Sequence, residues 1–262
     1  MQAFSLFSAV YATAPRSGFL NTRPGSNLFI EAYFQYKKRL EDPFEGFLER
    51  YPQLLRGGHA LDVGANIGYC ASLFSRALDP GFRVYAFEPE PFNVSLLERV
   101  IRTRCQGEVI PVQAAVGAAE GEIHLQLNPR HHGDHHVVTG SASTHNGSIS
   151  VPLVSIDAFL ERSNVCAPVS FLKIDVQGYE FAVCQGAGKT LAANPGCSIV
   201  LEYMPQALES LGFHADDLPR WFEQRGYRPY VLHKDGHLSE GMPANLGVRG
   251  YADLLFRQSP LP

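Results

Sequence analysis

Leu61-Asp62-Val63-Gly64-Ala65-Asn66-Ile67-Gly68-Tyr69 joins a short apolar run to a turn that contains two glycines. The apolar residues 60–63 predict a buried strand, and residues 67–78 predict the helix that follows it. Gly64 and Gly68 permit a sharp turn, which lets the backbone come close to a ligand. A strand, a glycine turn and a helix in this order are typical of a nucleotide-binding α/β sheet.

The second predicted strand, residues 83–87, is followed directly by Glu88-Pro89. A carboxylate at the end of the second strand of a βαβ unit can accept two hydrogen bonds from a ribose diol. The turn differs from that of dinucleotide-binding proteins, because Asn66 and Tyr69 take the third and sixth positions, where glycine is needed. The pattern therefore indicates a nucleoside cofactor without a diphosphate.

Asp62 indicates the charge of that cofactor. A carboxylate directly before the turn would repel a diphosphate and attract a cation. S-adenosylmethionine combines an adenosine ribose with a positive sulfonium and an α-ammonium, and it has no phosphate. The ordered set of residues predicts S-adenosylmethionine as the cofactor. The alternative is an ordinary strand–turn–helix whose glycines only permit close packing.

Four further stretches accompany the glycine turn: Phe87-Glu88-Pro89-Glu90-Pro91-Phe92-Asn93, Ala114-Ala115-Val116-Gly117, Gly133-Asp134-His135 and Leu172-Lys173-Ile174-Asp175-Val176-Gln177-Gly178-Tyr179-Glu180. In this order they resemble the motifs of the FkbM family of S-adenosylmethionine-dependent O-methyltransferases, over about residues 61–205. Two positions depart from the family pattern, because Glu is usual where Gln177 stands and Asn is usual near Val100.

The resemblance implies methylation of a hydroxyl oxygen. The expected acceptor is a sugar in a glycan or glycolipid, or a small-molecule natural product of the polyketide type. The motifs place the expected cofactor contacts at Asp62, Gly64, Asn66, Gly68, Glu88, Pro89 and Ala114.

Strand and helix patterns alternate along the chain and predict an α/β fold, a doubly wound Rossmann-like sheet that is mostly parallel. The expected parallel strands are residues 60–63, 83–87, 108–112, 169–174 and 199–203. Helices are expected at residues 91–104, 156–162 and 181–193. Additional antiparallel strands are expected at residues 121–127, 150–154, 230–233 and 254–256. Residues 1–55 are interpreted as an N-terminal helical extension that covers the sheet, with helices at 28–40 and 44–50. Residues 56–262 are then the methyltransferase domain.

Four acids lie at or near the ends of predicted parallel strands: Asp62, Glu88, Asp175 and Glu202. Because the carboxyl ends of parallel strands meet at one edge, we expect these acids to converge there. Asp62 should face the sulfonium side of the cofactor, Glu88 the ribose and Asp175 the methyl group. The alternative for Asp175 is a helix N-cap. Lys173, on the same strand face as Asp175, is expected to form a structural ion pair.

A histidine-rich stretch, His131-His132-Gly133-Asp134-His135-His136, lies in a predicted loop before the fourth parallel strand. Its spacing is poor for zinc, so no metal site is assigned there. The alternatives are a solvated polar loop and an acceptor-binding loop. In the second interpretation His135 acts as the general base, and Asp134 orients it or binds a sugar hydroxyl. Together with Asp175, these are the candidate catalytic residues.

Three other functions remain open at this point. In a Mg²⁺-dependent O-methyltransferase that acts on a diol, Asp175 and Glu202 would hold the metal. A nicotinamide dehydrogenase is disfavoured by Asn66 and Tyr69. A non-catalytic interaction protein is disfavoured by the presence of Asp62, Glu88 and Asp175.

The composition fits one enlarged α/β domain. The chain has 262 residues, of which 18% are charged, and its net charge of -4 gives no indication of a nucleic-acid partner. Its five cysteines are scattered without a CxxC pair, which predicts reduced thiols. The absence of a basic leader and of an apolar run of roughly 18 residues predicts a cytoplasmic enzyme with no membrane span. The partner expected is the hydroxylated substrate, and the N-terminal segment could serve as an arm for a homo-oligomer.

Overall fold

The computed structural model describes residues 22–126, 136–138, 148–244, 246 and 250–261. Within these residues the helices are α1 (Arg23–Tyr36), α2 (Phe44–Arg50), α3 (Tyr69–Ala77), α4 (Pro91–Arg104), α5 (Ile156–Arg162), α6 (Glu180–Gln185), α7 (Gly188–Ala193), α8 (Pro205–Ser210) and α9 (Asp217–Glu223). A π-helical turn (Lys37–Glu41) follows α1, and a 3₁₀ turn (Pro52–Leu55) follows α2.

The strands are β1 (His59–Val63), β2 (Arg83–Phe87), β3 (Glu108–Val112), β4 (Ala115–Val116), β5 (Gly121–Gln126), β6 (His136–Val138), β7 (Ser148–Val154), β8 (Val169–Ile174), β9 (Ser198–Tyr203), β10 (Arg228–Leu232), β11 (Leu238–Glu240) and β12 (Ala252–Arg257). Eight of them form the central sheet in the order β11-β10-β12-β9-β8-β1-β2-β3. The five strands from β3 to β9 in this order are parallel, and β12 and β11 are antiparallel to their neighbours. The predicted mostly parallel sheet is confirmed.

The chain builds this sheet outward from β1 in two directions. It adds β2 and β3 on one side, and later β8 and β9 on the other. The order of strands therefore reverses between β1 and β8, and ligands of such sheets bind at the carboxyl ends beside this switch point.

Alternating side chains of the strands enter two separate cores. Ala60 packs on one face with apolar residues of α1, α2, α3 and α4. Leu61 and Val63 pack on the other face with residues of α5, α6, α7, α8 and α9. Both faces of the sheet are thus covered, which explains why β1 is buried along its whole length.

The N-terminal helices belong to the first of these cores. Phe29 and Tyr33 of α1 are buried there, and Phe47 of α2 lies 5.9 Å from Phe171 of β8 between ring centroids. Helix α1 begins well before residue 28, because Thr22 caps it by accepting a hydrogen bond from the Gly25 amide at 3.1 Å.

A second, four-stranded sheet has the order β4-β7-β5-β6. The antiparallel pair of β5 and β7 agrees with the sequence-based expectation, whereas β4 and β6 were not anticipated. One predicted helix, residues 181–193, is instead divided into α6 and α7. Gly186 lies at the break, where a Cβ atom would overlap the carbonyl oxygen of Gly117.

All five cysteines are free, in agreement with the prediction of reduced thiols. None of the helices in the described part of the chain has the length and apolar character needed to cross a membrane.

Candidate active site

The glycine turn lies at the carboxyl ends of β1, β2 and β8. Gly64 has φ 77° and Gly68 has φ 91°, in the left-handed region that favours glycine. A Cβ atom on Gly64 would overlap the carbonyl oxygen of Asp175, so the turn passes directly over the end of β8. The amide nitrogens of Gly64 and Ala65 both donate to the carbonyl oxygen of Phe87, which attaches the turn to β2.

Glu88 extends from the end of β2 onto this turn. Its Oε2 accepts a hydrogen bond from the Asn66 amide at 2.9 Å, and its Oε1 accepts one from the Glu90 amide at 3.0 Å. Burial raises the pKa of Glu88 to about 7. Oε1 also accepts a longer hydrogen bond from Nδ2 of Asn93 at 3.4 Å. The remaining capacity to accept a ribose hydroxyl therefore lies on Oε2, which has a second lone pair.

Pro89 and Ala114 lie at the same edge. Glu88 donates its backbone amide to the carbonyl oxygen of Val112 at 3.0 Å, and Ala114 donates to that same oxygen at 3.0 Å. Ala114 is buried. The end of β3 is thereby placed next to the Glu88-Pro89 segment, and contact of Pro89 and Ala114 with the cofactor stays a prediction.

Asp62 is fully buried beneath the turn, and neither of its carboxylate oxygens has a normal hydrogen bond among the described residues. Its Oδ1 lies 3.3 Å from Nζ of Lys173, its register partner on β8. Burial raises the pKa of Asp62 although Lys173 opposes this shift. The position of Asp62 is that of a support for the turn, and a cofactor contact remains a prediction.

Lys173 joins three groups under the turn. Its Nζ donates to the carbonyl oxygen of Gly64 at 2.9 Å and lies 3.6 Å from Oδ2 of Asp175. Burial alone would lower the pKa of Lys173, but the carboxylates of Asp62 and Asp175 outweigh it and raise the pKa. The expected ion pair is confirmed.

Asp175 lies just beyond β8, where its side chain is about one-third exposed (35%). Burial opposes ionisation, yet the charges of Lys173 and Lys37 hold the pKa of Asp175 below its usual range. Asp175 does not cap the following helix. The N-cap of α6 is Tyr179, which makes no side-chain capping bond. The structural alternative for Asp175 is therefore wrong, and an ionised, accessible carboxylate is left at this edge.

The side chain of Glu180 holds the loop after β8 through hydrogen bonds to its backbone. Its Oε1 accepts hydrogen bonds from the amides of Val176 at 3.2 Å and Gly178 at 3.0 Å. Burial raises the pKa of Glu180 to about 7. Between these two amides, Gln177 adopts φ 54° and directs its side chain back to the strand ends.

Glu202 of β9 reaches the same edge. Its Oε2 accepts a hydrogen bond from Nε2 of Gln177 at 3.1 Å, and the same nitrogen donates to Oδ1 of Asp175 at 3.2 Å. Burial, followed by the charges of Asp175 and Asp253, raises the pKa of Glu202 to about 9. Asp253 is the register partner of Glu202 on β12.

The N-terminal segment completes the surroundings of Asp175. Nζ of Lys37, in the π-helical turn after α1, lies 2.8 Å from Oε2 of Glu41. The positive charge of Lys37 acts to lower the pKa of both Asp175 and Glu202. Asp42 accepts a hydrogen bond from the Phe44 amide at 2.7 Å, and burial raises the pKa of Asp42 to about 6. Sequence patterns did not indicate these contacts, because they depend on where the helices pack.

The catalytic candidates His135 and Asp134 fall outside the described residues. Strands β5 and β6 flank the segment that contains them, and β6 pairs with β5 from His136 to Val138. Within the part of the chain that is described, no group of three or more His, Cys, Asp or Glu side chains is arranged to hold a metal ion.

The residues at this edge fit a nucleoside that carries a positive charge. Gly64 and Gly68 keep the turn free of side chains, and Glu88 retains acceptor capacity for a ribose. The ionised Asp175 supplies negative charge beside the turn, and Asp62 lies buried beneath it in an ion pair with Lys173. The fold is a Rossmann-like sheet, and the site at its carboxyl edge suits a cationic nucleoside.

Comparison with known proteins identifies the family. The model described as the methyltransferase FkbM domain matches residues 62–229. The chain belongs to this family of methyltransferases and uses S-adenosylmethionine as its cofactor. A search of curated protein sequences finds no significant match.

Two solved structures of similar architecture are an rRNA methylase from Streptococcus thermophilus and an O-methyltransferase from Bacillus cereus. The rRNA methylase is 9% identical in sequence, and the alignment covers 83% of this chain and 97% of the methylase, with a TM-score of 0.48. The O-methyltransferase is 14% identical in sequence, and the alignment covers 82% of this chain and 80% of the O-methyltransferase, with a TM-score of 0.46. Both likenesses are too distant to carry a functional assignment.

Proposed function

We propose that this methyltransferase methylates a hydroxyl oxygen of a sugar, in a glycan or glycolipid, or of a small-molecule natural product. One observation carries the proposal: an ionised Asp175 lies directly against the glycine turn and is open to an acceptor. A carboxylate in this position can take the proton of a hydroxyl as the new oxygen–carbon bond forms.

S-adenosylmethionine, when bound, supplies a methyl group that the sulfonium charge activates. The tasks left to the protein are to bind, to orient and to exclude water. Glu88 would hold the ribose, and the turn from Gly64 to Gly68 would let the cofactor approach the backbone. Lys173 keeps Asp175 ionised and fixes one of its oxygens, while Gln177 fixes the other.

An alkyl hydroxyl is a weak acid, so proton transfer to Asp175 should accompany the displacement rather than precede it. His135 remains a second candidate for this role, and Asp134 a candidate for binding a neighbouring sugar hydroxyl. Strands β5 and β6, on either side of the segment that carries them, pair with each other. The two roles rest on the resemblance of Gly133-Asp134-His135 to the family motif.

Two measurements test the proposal. Isothermal titration with S-adenosylhomocysteine should show binding that is weakened at least tenfold in Glu88→Ala. A panel of methyl glycosides and hydroxylated natural products should be assayed with radiolabelled S-adenosylmethionine. With an accepted substrate, Asp175→Asn should lower kcat by about 10²–10⁴-fold, as expected for loss of a general base, with little change in cofactor affinity.

His135→Ala should also slow turnover with cofactor affinity nearly unchanged. Methylation of an amine nitrogen in place of a hydroxyl oxygen in the product would refute O-methylation. An Asp175→Asn variant with the wild-type kcat would remove Asp175 from the reaction.

A further inference from the structure

Gln177 connects two strand-end acids that belong to different strands. Its Nε2 donates to Oδ1 of Asp175 at 3.2 Å and to Oε2 of Glu202 at 3.1 Å. Asp175 follows β8 and Glu202 lies near the end of β9, so one amide nitrogen fastens the ends of two neighbouring parallel strands. This is the place where an acceptor would approach Asp175.

The backbone holds Gln177 in an uncommon conformation. Its φ of 54° lies in the left-handed region, which a non-glycine residue adopts only when its surroundings impose it. Glu180 imposes it by accepting the amides on both sides of Gln177. A Cβ atom on Gly178 would lie 2.8 Å from the carbonyl oxygen of Ala207, so the next residue is also confined. The amide therefore has a defined position between the acids.

The spacing around that amide suits a hydrogen-bond donor. Distances of 3.1 and 3.2 Å are those of N–H···O bonds, so both acids accept from the same amide nitrogen. Two carboxyl groups in one site disfavour each other's ionisation, and here the raised pKa of Glu202 leaves the negative charge on Asp175. In this chain the two N–H groups of an uncharged amide lie between the two acids.

We propose that Gln177 is a positioning residue whose side-chain amide does what a divalent cation would otherwise do, namely hold Asp175 and Glu202 together. Methyl transfer then needs no metal. The proposal rests on the proposed function only for its effect on catalysis. It also makes a statement about binding: Glu at position 177 would create three adjacent carboxylates, an oxygen-rich ligand set suited to Mg²⁺ or Mn²⁺.

The first test measures Mn²⁺ binding by electron paramagnetic resonance and requires no acceptor. Gln177→Glu is compared with Gln185→Glu, the same change at the exposed end of α6. We expect Gln177→Glu to bind one more Mn²⁺ per chain than Gln185→Glu. No additional Mn²⁺ would overturn the proposal. Mn²⁺ that the wild type binds and that Glu202→Gln loses would also overturn it, because the metal would then occupy the native site.

The second test measures kcat with an acceptor from the panel, in EDTA or in excess Mg²⁺. The wild-type rate should be the same in both. Gln177→Met, which removes the donor, should lower kcat about 10–100-fold in both, as misplacement of a reacting group by about 1 Å can do. Gln177→Glu should be slow in EDTA and at least fivefold faster in Mg²⁺.

Affinity for S-adenosylhomocysteine should stay within twofold of wild type in both variants, which excludes misfolding as the cause. Loss of wild-type activity in EDTA, or a Gln177→Met variant as fast as Gln185→Met, would overturn the proposal. If the wild type methylates nothing, the proposed function fails, while the Mn²⁺ measurement still decides the role of Gln177.

Discussion

Replacement of Lys173 by methionine tests how strongly the ion pairs under the glycine turn stabilise the fold. The Asp62 side chain has no exposed surface, and that of Lys173 is only 7% exposed. In Lys173→Met, Asp62 stays buried without its cation, and the carbonyl oxygen of Gly64 loses a donor. Removing one partner of a buried ion pair costs about 3–5 kcal/mol, so we expect the free energy of unfolding to fall by that amount.

The assay is equilibrium unfolding in urea, followed by circular dichroism and by the fluorescence of Trp221, the only tryptophan. Arg220→Met is the matched control, because its ion pair with Asp216 is exposed and such pairs contribute about 0–1 kcal/mol. The double variant Asp62→Asn/Lys173→Met should be more stable than Lys173→Met, since it leaves no unpaired buried charge.

The pH dependence provides a further check on the same variant. Without Lys173, the folded-state pKa of Asp62 rises further above its unfolded value, so the folded protein takes up a proton as the pH falls. The difference in stability between Lys173→Met and wild type should therefore shrink from pH 8 towards pH 5. A Lys173→Met variant as stable as Arg220→Met, or a double variant no better than the single one, would refute this reasoning.

Three further changes test the turn, the ribose contact and a helix cap. Since the pKa of Glu88 is about 7, the affinity for S-adenosylhomocysteine should fall about tenfold from pH 8 to pH 6 as the carboxylate is protonated. Glu88→Gln should bind S-adenosylhomocysteine weakly at both pH values. A wild-type affinity that does not change between pH 8 and pH 6 would contradict this prediction. Gly64→Ala places a Cβ atom at a left-handed φ and against the carbonyl oxygen of Asp175. Its free energy of unfolding should fall by about 1–3 kcal/mol through backbone strain, and its affinity for S-adenosylhomocysteine should fall at least tenfold. Gly196→Ala, with open space around its Cβ position, is the control, and equal affinities in both would contradict the assignment. Ser155→Ala should lose about 1 kcal/mol in urea unfolding, because Ser155 caps α5, and an unchanged midpoint would show that the cap is dispensable.

The parallel strands of the central sheet could be predicted because they are short apolar runs separated by strong turn and capping signals. The short edge strand β11 was not predicted. Pro91 at the start of α4 and Ser155 before α5 are local signals, and both helices occupy the predicted residues. The division of α6 from α7 was missed because it depends on Gly117, which is distant in the chain and touches Gly186 only after folding.

The same distinction holds for the site. Asp62, Glu88, Asp175 and Glu202 could be placed at one edge because each lies at or beside the end of a predicted parallel strand, and the structure brings them there. The bridging role of Gln177 depends on a left-handed backbone that the sequence did not reveal.

Lys37 and Asp253 were missed for a related reason. Lys37 is brought to this edge by the packing of α1, and Asp253 by the register of β12 with β9. Their positions follow from tertiary structure that no local pattern encodes.

The position of β12 has a consequence for how this protein folds. It lies between β9 and β10, although it follows both in the chain. Until β12 is inserted, two strands present open edges, and Glu202 lacks its neighbour Asp253. During synthesis on the ribosome, the half of the sheet that carries β1, β2 and β3 can form early, whereas the half beyond β9 must wait for residues 252–257 to emerge.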